Sequence, residues 1–223
     1  MDPPALKKPR MKDTVVVCPI VYGSAAFYLG KKGSGGETST HRWTLFVRGP
    51  NDEDLSVFVS KIAFSLHESF AEPVRVIDKP PYEVTELGWG EFAAKIRIFF
   101  KDPEEQPIDL AHTIKLYPES MGAHPTSQQQ QALQSTMKKP VMSERYDEIV
   151  FTEPTEKFKQ LLLNYVPPKE RPVTDMSEHY TQFDEDKDVI ALTSAQAHLT
   201  REINLAKSRL LSLEAEIASK QMG

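Results

Sequence analysis

Between Phe92 and Lys101 the chain alternates strictly. Phe92, Ala94, Ile96, Ile98 and Phe100 fall on one side of an extended backbone, and Lys95 and Arg97 fall on the other. A repeat of two defines a strand with one face to bury. Such a face needs a second layer over it, so this run commits the chain to a packed sheet. Shorter runs repeat the pattern. Trp43, Leu45 and Val47 alternate with Thr44, Phe46 and Arg48; Leu55, Val57 and Val59 lead into Ile62, Phe64 and Leu66. Val74 with Val76, Tyr82 with Val84, Ile114 with Leu116 and His112, and 141–151 add further segments. Thr14 to Val17 begins another, which Pro19 marks as an edge strand, and Ala25 to Leu29 continues it. Many short strands separated by turn residues predict a mainly β chain built as a β-sandwich.

Two loops where strands end carry the chemistry. Leu66-His67-Glu68-Ser69-Phe70 follows one alternating run, and Glu86-Leu87-Gly88-Trp89-Gly90-Glu91-Phe92 precedes another. Each sets an aromatic, Phe70 or Trp89, in a loop. Ser69 adds a hydroxyl, and Gly88 and Gly90 leave backbone amides open to close approach. Two rings, a hydroxyl and exposed amides are the parts needed to hold a flat, uncharged amide.

The outer segments read differently. Residues 1–13 form a flexible tail whose cluster Lys7-Lys8-Pro9-Arg10-Met11-Lys12 has the composition of a nuclear import signal. Lys31 to Ser39 is a glycine-bearing loop, but it lacks the Gly-Lys-Ser/Thr ending of a phosphate loop. Residues 14–153 make up the sandwich, with 118–140 a mobile insertion around Gln128-Gln129-Gln130-Gln131. In 154–166, Phe158, Leu161, Leu162 and Tyr165 share one face of a short helix that caps the sandwich and ends before Pro167-Pro168. Residues 167–188 are a polar, acidic linker.

In 189–223, Val189, Leu192, Gln196, Leu199, Ile203, Ala206, Leu210, Leu213 and Ile217 step by three and four along one helical seam. A long helix with an apolar stripe asks for a partner. The expectation is a coiled coil, with itself or with another protein, rather than a helix folded back on the sandwich.

Composition excludes several classes. A net charge of −5 over 223 residues gives no global attraction to nucleic acid, so no sequence-specific nucleic-acid binding is expected. One cysteine, Cys18, permits neither an internal disulfide nor a cysteine-rich zinc site, and fits a reducing compartment. No apolar run reaches the length of a membrane span. His67, Glu68 and Ser69 are acid, base and nucleophile types, yet adjacency in sequence is not triad geometry. No Gly-x-Ser-x-Gly elbow or helical His pair occurs, so neither an enzyme nor a metal or cofactor protein is expected.

The ordered motifs Val21-Tyr22-Gly23, His41-Arg42-Trp43, His67-Glu68-Ser69-Phe70, Pro80-Pro81-Tyr82-Glu83, the Gly88-Trp89-Gly90-Glu91-Phe92 stretch and Tyr146-Asp147-Glu148-Ile149 resemble the YEATS domain, a reader of acylated lysine on histone tails. The resemblance covers residues 15–151. It is closest to plant-type members of the subfamily shared by histone-acetyltransferase and histone-variant-exchange complexes.

It implies an immunoglobulin-like sandwich, a nuclear protein, and a slot for acetylated or crotonylated lysine, with the H-three histone as ligand. By that resemblance Phe70 and Trp89 sandwich the amide. Ser69 hydrogen-bonds it, and the Trp89 N–H donates to the acyl carbonyl. His67 orients the serine loop, Gly88 and Gly90 admit the ligand to the main chain, and Glu91 and Phe92 continue the wall. His41 and Trp43 are read as structural. Two positions depart from relatives: Ser39 stands where many carry an aromatic or histidine, and Leu87 where a smaller Ser or Thr is common.

Acylation removes the lysine charge and leaves a neutral amide. Burying about 100 Å² of it contributes roughly 2–3 kcal/mol, and each hydrogen bond about 1 kcal/mol, before the costs of association. Discrimination without tight binding follows, and the terminal helix raises residence through assembly. The alternative is an adaptor that assembles through its helix with little acyl-lysine recognition.

Overall fold

The computed structural model describes residues 9–30, 39–118, 139–169, 176–183 and 185–221. It divides into a unit spanning 1–182 and a second spanning 183–223. The glycine loop 31–38, most of the basic tail, most of the insertion 118–140, and 170–175 with 184 of the linker lie outside the described residues.

The first unit is an immunoglobulin-like sandwich of two antiparallel four-stranded sheets. Its strands are β1 (Val15–Tyr28), β2 (His41–Arg48), β3 (Val59–Ser65), β4 (Val74–Ile77), β5 (Tyr82–Gly88), β6 (Ala93–Phe100), β7 (Ile108–Thr113) and β8 (Val141–Thr152). The sheets run β5-β2-β1-β8 and β4-β3-β6-β7. The alternation builds the core directly. Ile62, Phe64, Ala94, Ile96, Ile98 and Phe100 are buried from one sheet; Ile20, Tyr22, Trp43, Leu45, Val47 and Val84 are buried from the other. Lys95 and Arg97 stay exposed on the opposite face of β6.

Three expectations are corrected. First, the strand that carries Pro19 is not an edge strand, for β1 lies between β2 and β8 in its sheet. β1 runs unbroken, paired to β8 along most of its length and to β2 only from Val21 onward. Pro19 faces Glu148 in the stretch with β8 on one side and no strand on the other, where a residue without an N–H is tolerated. Second, Leu55–Val57 is a single 3₁₀ turn rather than extended chain. The Asp54 carboxylate accepts from the Ser56 N–H and hydroxyl at 2.8 Å each, and this local bonding competes with a strand ladder. Third, part of the acidic linker is packed. Tyr180 lies 5.2 Å from the Phe46 ring with the Arg48 guanidinium 4.2 Å over its own ring, and the Thr181 N–H donates to Glu144 at 2.7 Å. This explains why both faces of β2 are buried.

The short helix is α1 (Glu156–Leu162). Thr155 caps it by accepting from the Phe158 N–H, and Phe158 packs edge-on against Phe151 at 5.1 Å. The chain turns away at Asn164, three residues before the prolines. Tyr165 then donates to the Pro19 carbonyl at 2.6 Å.

The second unit is one long helix, α2 (Glu185–Gln221), which starts four residues before the seam read from the sequence. Glu185, Asp186 and Asp188 in its first turn and Lys220 in its last complement the helix dipole.

Candidate functional site

The two loops meet at one end of the sandwich. β3 ends at Ser65, and the Leu66 N–H reaches across the following loop to the Pro73 carbonyl at 2.7 Å, closing it. Within it the Phe70 N–H donates to the His67 carbonyl at 3.1 Å. His67 Nδ1 accepts from the Ser69 N–H at 3.2 Å, so that nitrogen carries the lone pair, and the Ser69 hydroxyl 3.0 Å away donates to it as well. The lone pairs of Ser69 Oγ are left for an incoming donor.

The second loop leaves β5 where Gly88 pairs with His41 and accepts from the Thr40 N–H at 3.1 Å. Glu91 ties its far side down. One carboxylate oxygen accepts from the Leu116 and Tyr117 N–H groups, and the other pairs with Lys115 at 3.2 Å. Glu91 borders the groove, but its carboxylate is engaged in holding the segment after β7. Trp89, between these two fixed points, is 69% exposed. No described residue accepts its backbone N–H.

His67, Ser69, Phe70, Gly88, Trp89, Gly90, Glu91 and Phe92 line one groove of about 480 Å³, together with Ser39, Trp43 and Leu87. Its base is aromatic. Trp43 meets Phe70 at 5.8 Å and Phe92 at 5.6 Å, both edge-on. Phe70 and Phe92 are 5.8 Å apart, and the His67 ring stands 6.0 Å from Phe92. The Phe70 ring is thus held on two others, whereas the Trp89 ring stands in solvent.

Sequence reasoning missed two contributors. Trp43, read as structural, is wholly buried and also floors the groove, and its Nε1–H has no partner among the described residues. Arg75 on β4 pairs with Glu72 of the first loop at 3.0 Å and, at 2.7 Å, with Glu86, expected to open the second loop but found in β5, leading into it. It thereby joins the two loops across the sheets. An arginine isolated among valines on a short strand is the signal that could have marked it.

Behind the second loop sits His41, fully buried between the Tyr28 and Tyr117 rings at 5.0 Å each, with Nδ1 2.9 Å from the Thr40 hydroxyl. Burial pushes its pKa down to about 4, opposed by the nearby Glu91 carboxylate. It is a neutral support for the loop.

The groove therefore offers ring faces, a hydroxyl acceptor and a main-chain donor. A flat neutral amide finds both its hydrogen bonds there; an ammonium ion would lose its hydration without a counter-charge.

A profile described as the YEATS family matches residues 38–118. The chain is 46% identical over 160 residues to transcription initiation factor TFIID subunit 14b of Arabidopsis thaliana, covering 71% of this chain and 55% of that protein. It thus spans about half the length of that relative. It is 37% identical over 195 residues to the AF-9 homolog of Kluyveromyces lactis, covering 83% of this chain and 86% of that protein. Among solved structures, a Yaf9 YEATS domain bound to an acetylated histone H3 peptide superposes with a TM-score of 0.56 at 38% identity, over 69% of this chain and 97% of that one. A second, recognizing a succinylated histone H3 peptide, gives the same values.

Proposed function

The chain belongs to the YEATS family, and on that premise we propose that it is a nuclear, non-catalytic reader of acylated lysine on histone H3 that serves as a subunit of a chromatin-modifying complex. The observation that carries this reading is the pairing of a solvent-exposed Trp89 ring with a held Phe70 ring along one groove that also contains the Ser69 hydroxyl. The acyl-lysine side chain enters between the rings. Its amide N–H donates to Ser69 Oγ, whose own proton is directed to His67 Nδ1. The acyl carbonyl accepts from the Trp89 N–H. Gly88 and Gly90 keep the rim of the slot low, and Phe92 continues the wall with Glu91. That Yaf9 domains hold acetylated and succinylated histone H3 peptides supports the ligand class. Acetyl and crotonyl amides are both planar, the shape that a slot between two rings selects.

The test is titration of acetylated and unmodified histone H3 peptides against the full chain. Acetylated peptide should bind at least about tenfold more tightly, equivalent to roughly 1.4 kcal/mol. Trp89→Ala should abolish that difference while leaving the melting temperature unchanged, because the ring is exposed. Equal binding of both peptides, or an unaffected Trp89→Ala variant, overturns the reading.

A second role rests on a separate observation. The apolar residues of α2 stand in solvent. We assign this helix to assembly, as the element through which the subunit joins its complex. Deleting 183–223 should abolish recovery of complex subunits while peptide binding persists; undiminished recovery would remove the assignment.

A further inference from the structure

On the face of the first sheet turned away from the core, Glu83, Thr85 and Leu87 of β5 stand in register with Phe46, Thr44 and Arg42 of β2. The Thr44 and Thr85 hydroxyls join across the pair at 2.8 Å. β5 is the edge strand of its sheet. Leu87 borders the groove described above, and Glu83 borders a second cavity of about 360 Å³. The row from Leu87 to Glu83 therefore connects two hollows over four residues, about 13 Å of strand.

The second cavity has hydrocarbon walls from Phe46, Leu55, Pro80, Pro81, Met176 and Tyr180. Its charged lining is acidic, with Asp52, Glu53 and Glu83 against the single cation Arg48. Arg48 is already engaged. It pairs with Glu144 at 2.8 Å and donates to the Gly49, Pro50 and Thr181 carbonyls. Glu53 accepts from the Asn51 N–H at 2.8 Å. The Asp52 and Glu83 carboxylates have no hydrogen bond or ion pair among the described residues. Glu83 is also partly buried, and burial holds its carboxyl above the usual range. A partly desolvated carboxylate without a counter-charge is stabilised by an incoming cation.

From this we propose that the second cavity is a subsite for the same peptide, taking the side chain of a basic residue about four positions from the acylated lysine. The inference rests on the acyl-lysine reading and deepens it. Four residues of extended chain span about 13 Å and bring their side chains back to one side, which matches the spacing of the hollows. Lysine or arginine lays its methylene stem on the hydrocarbon walls and turns its charge toward Asp52 and Glu83. Arginine suits the site better, because its planar fork bonds carboxylates at fixed angles. A bare metal ion would need oxygen ligands on several sides, and these walls are mainly carbon. The row leaves the groove in one direction, so the basic residue lies on one side of the acyl-lysine only.

The experiment is titration of the full chain with three acetyl-lysine peptides in a glycine and serine background. One carries no arginine, one an arginine four positions before the acetyl-lysine, and one an arginine four positions after it. Each has an unmodified counterpart. One arginine peptide should bind about fivefold more tightly than the arginine-free peptide, and the other should not. Glu83→Gln should remove that gain. Asp52→Asn should reduce it, and asparagine tolerates the left-handed backbone at that position, φ 63°. The two changes lie on a strand and in a loop, so misfolding of one variant leaves the other as the test.

Equal gains from both arginines would mean diffuse attraction to an acidic protein. That result, no gain, or a gain that survives both variants each overturns the subsite. If the arginine-free acetylated peptide still outbinds its unmodified counterpart, the acyl-lysine reading stands and the subsite alone falls. Loss of that discrimination overturns both.

Discussion

A β-carbon added to Gly88 would lie 2.9 Å from Trp43 Nε1. Trp43 is wholly buried and wedged edge-on against Phe70 and Phe92, so it cannot give way. The glycine is therefore required by the floor of the groove. Gly90 differs, for a β-carbon there meets no atom within 4 Å. Gly88→Ala should cost about 1–3 kcal/mol of stability by overpacking and weaken acyl-peptide binding about tenfold. Gly90→Ala should leave stability unchanged. Denaturant unfolding of the two variants checks this; equal effects would mean the contact does not govern the loop.

The Trp43–Gly88 contact also marks where reading the sequence stops. The run from Phe92 to Phe100 is legible because its period is local, and the two flanking loops are legible because strands must end somewhere. Which buried tryptophan lies under which glycine depends on the register His41 to Gly88 between β2 and β5, and nothing local encodes it. Leu55 to Val57 misleads for the opposite reason. It carries an alternating pattern, but the Asp54 side chain turns it into a 3₁₀ turn. Tyr180, set in a largely polar stretch, gives no sign in sequence that it covers Phe46.

Arg75 is the joint between the loops. Glu72 is largely exposed and contributes little to stability; Glu86 is more enclosed and contributes more. Arg75→Ala should lower stability by about 1 kcal/mol or less, yet reduce acyl-peptide affinity several-fold by freeing one loop from the other. Glu86→Gln combined with it should add little further loss, because both changes break the same tie. Additive losses in that double-mutant cycle would show that the ion pair does not position the site.

Thr155 serves two partners at once. Its hydroxyl donates to the buried Asp102 carboxylate at 2.6 Å and accepts from the Phe158 N–H at 3.2 Å, capping α1. Thr155→Val keeps the shape and removes both bonds. The cap contributes about 1 kcal/mol and the donor to a buried carboxylate a similar amount or more, so a loss of roughly 2 kcal/mol is expected. Thr155→Ser should retain most of that stability. A Thr155→Val variant as stable as the parent in denaturant melts would contradict the double role.

Acid should destabilise the sandwich before its carboxylates titrate fully, because two histidines are buried neutral. His41 sits between Tyr28 and Tyr117 with Glu91 nearby. His112 is 3.0 Å from the Ser24 hydroxyl, with Tyr22 edge-on and Arg145 adding repulsion. Burial lowers both to about 4, whereas the unfolded chain titrates near 6.5. Between those values the unfolded state binds the extra protons. Stability is therefore fully present above about pH 6.5 and falls as the pH drops toward 4, by up to about 1.4 kcal/mol per pH unit for each histidine. Glu83, whose carboxyl burial holds above its usual range, acts in the opposite sense and shallows the slope. Chemical denaturation at pH 7, 6 and 5 should show the decline, and His112→Asn should reduce its steepness by up to half. A decline of the same slope in His112→Asn would rule that imidazole out as a source of the acid sensitivity.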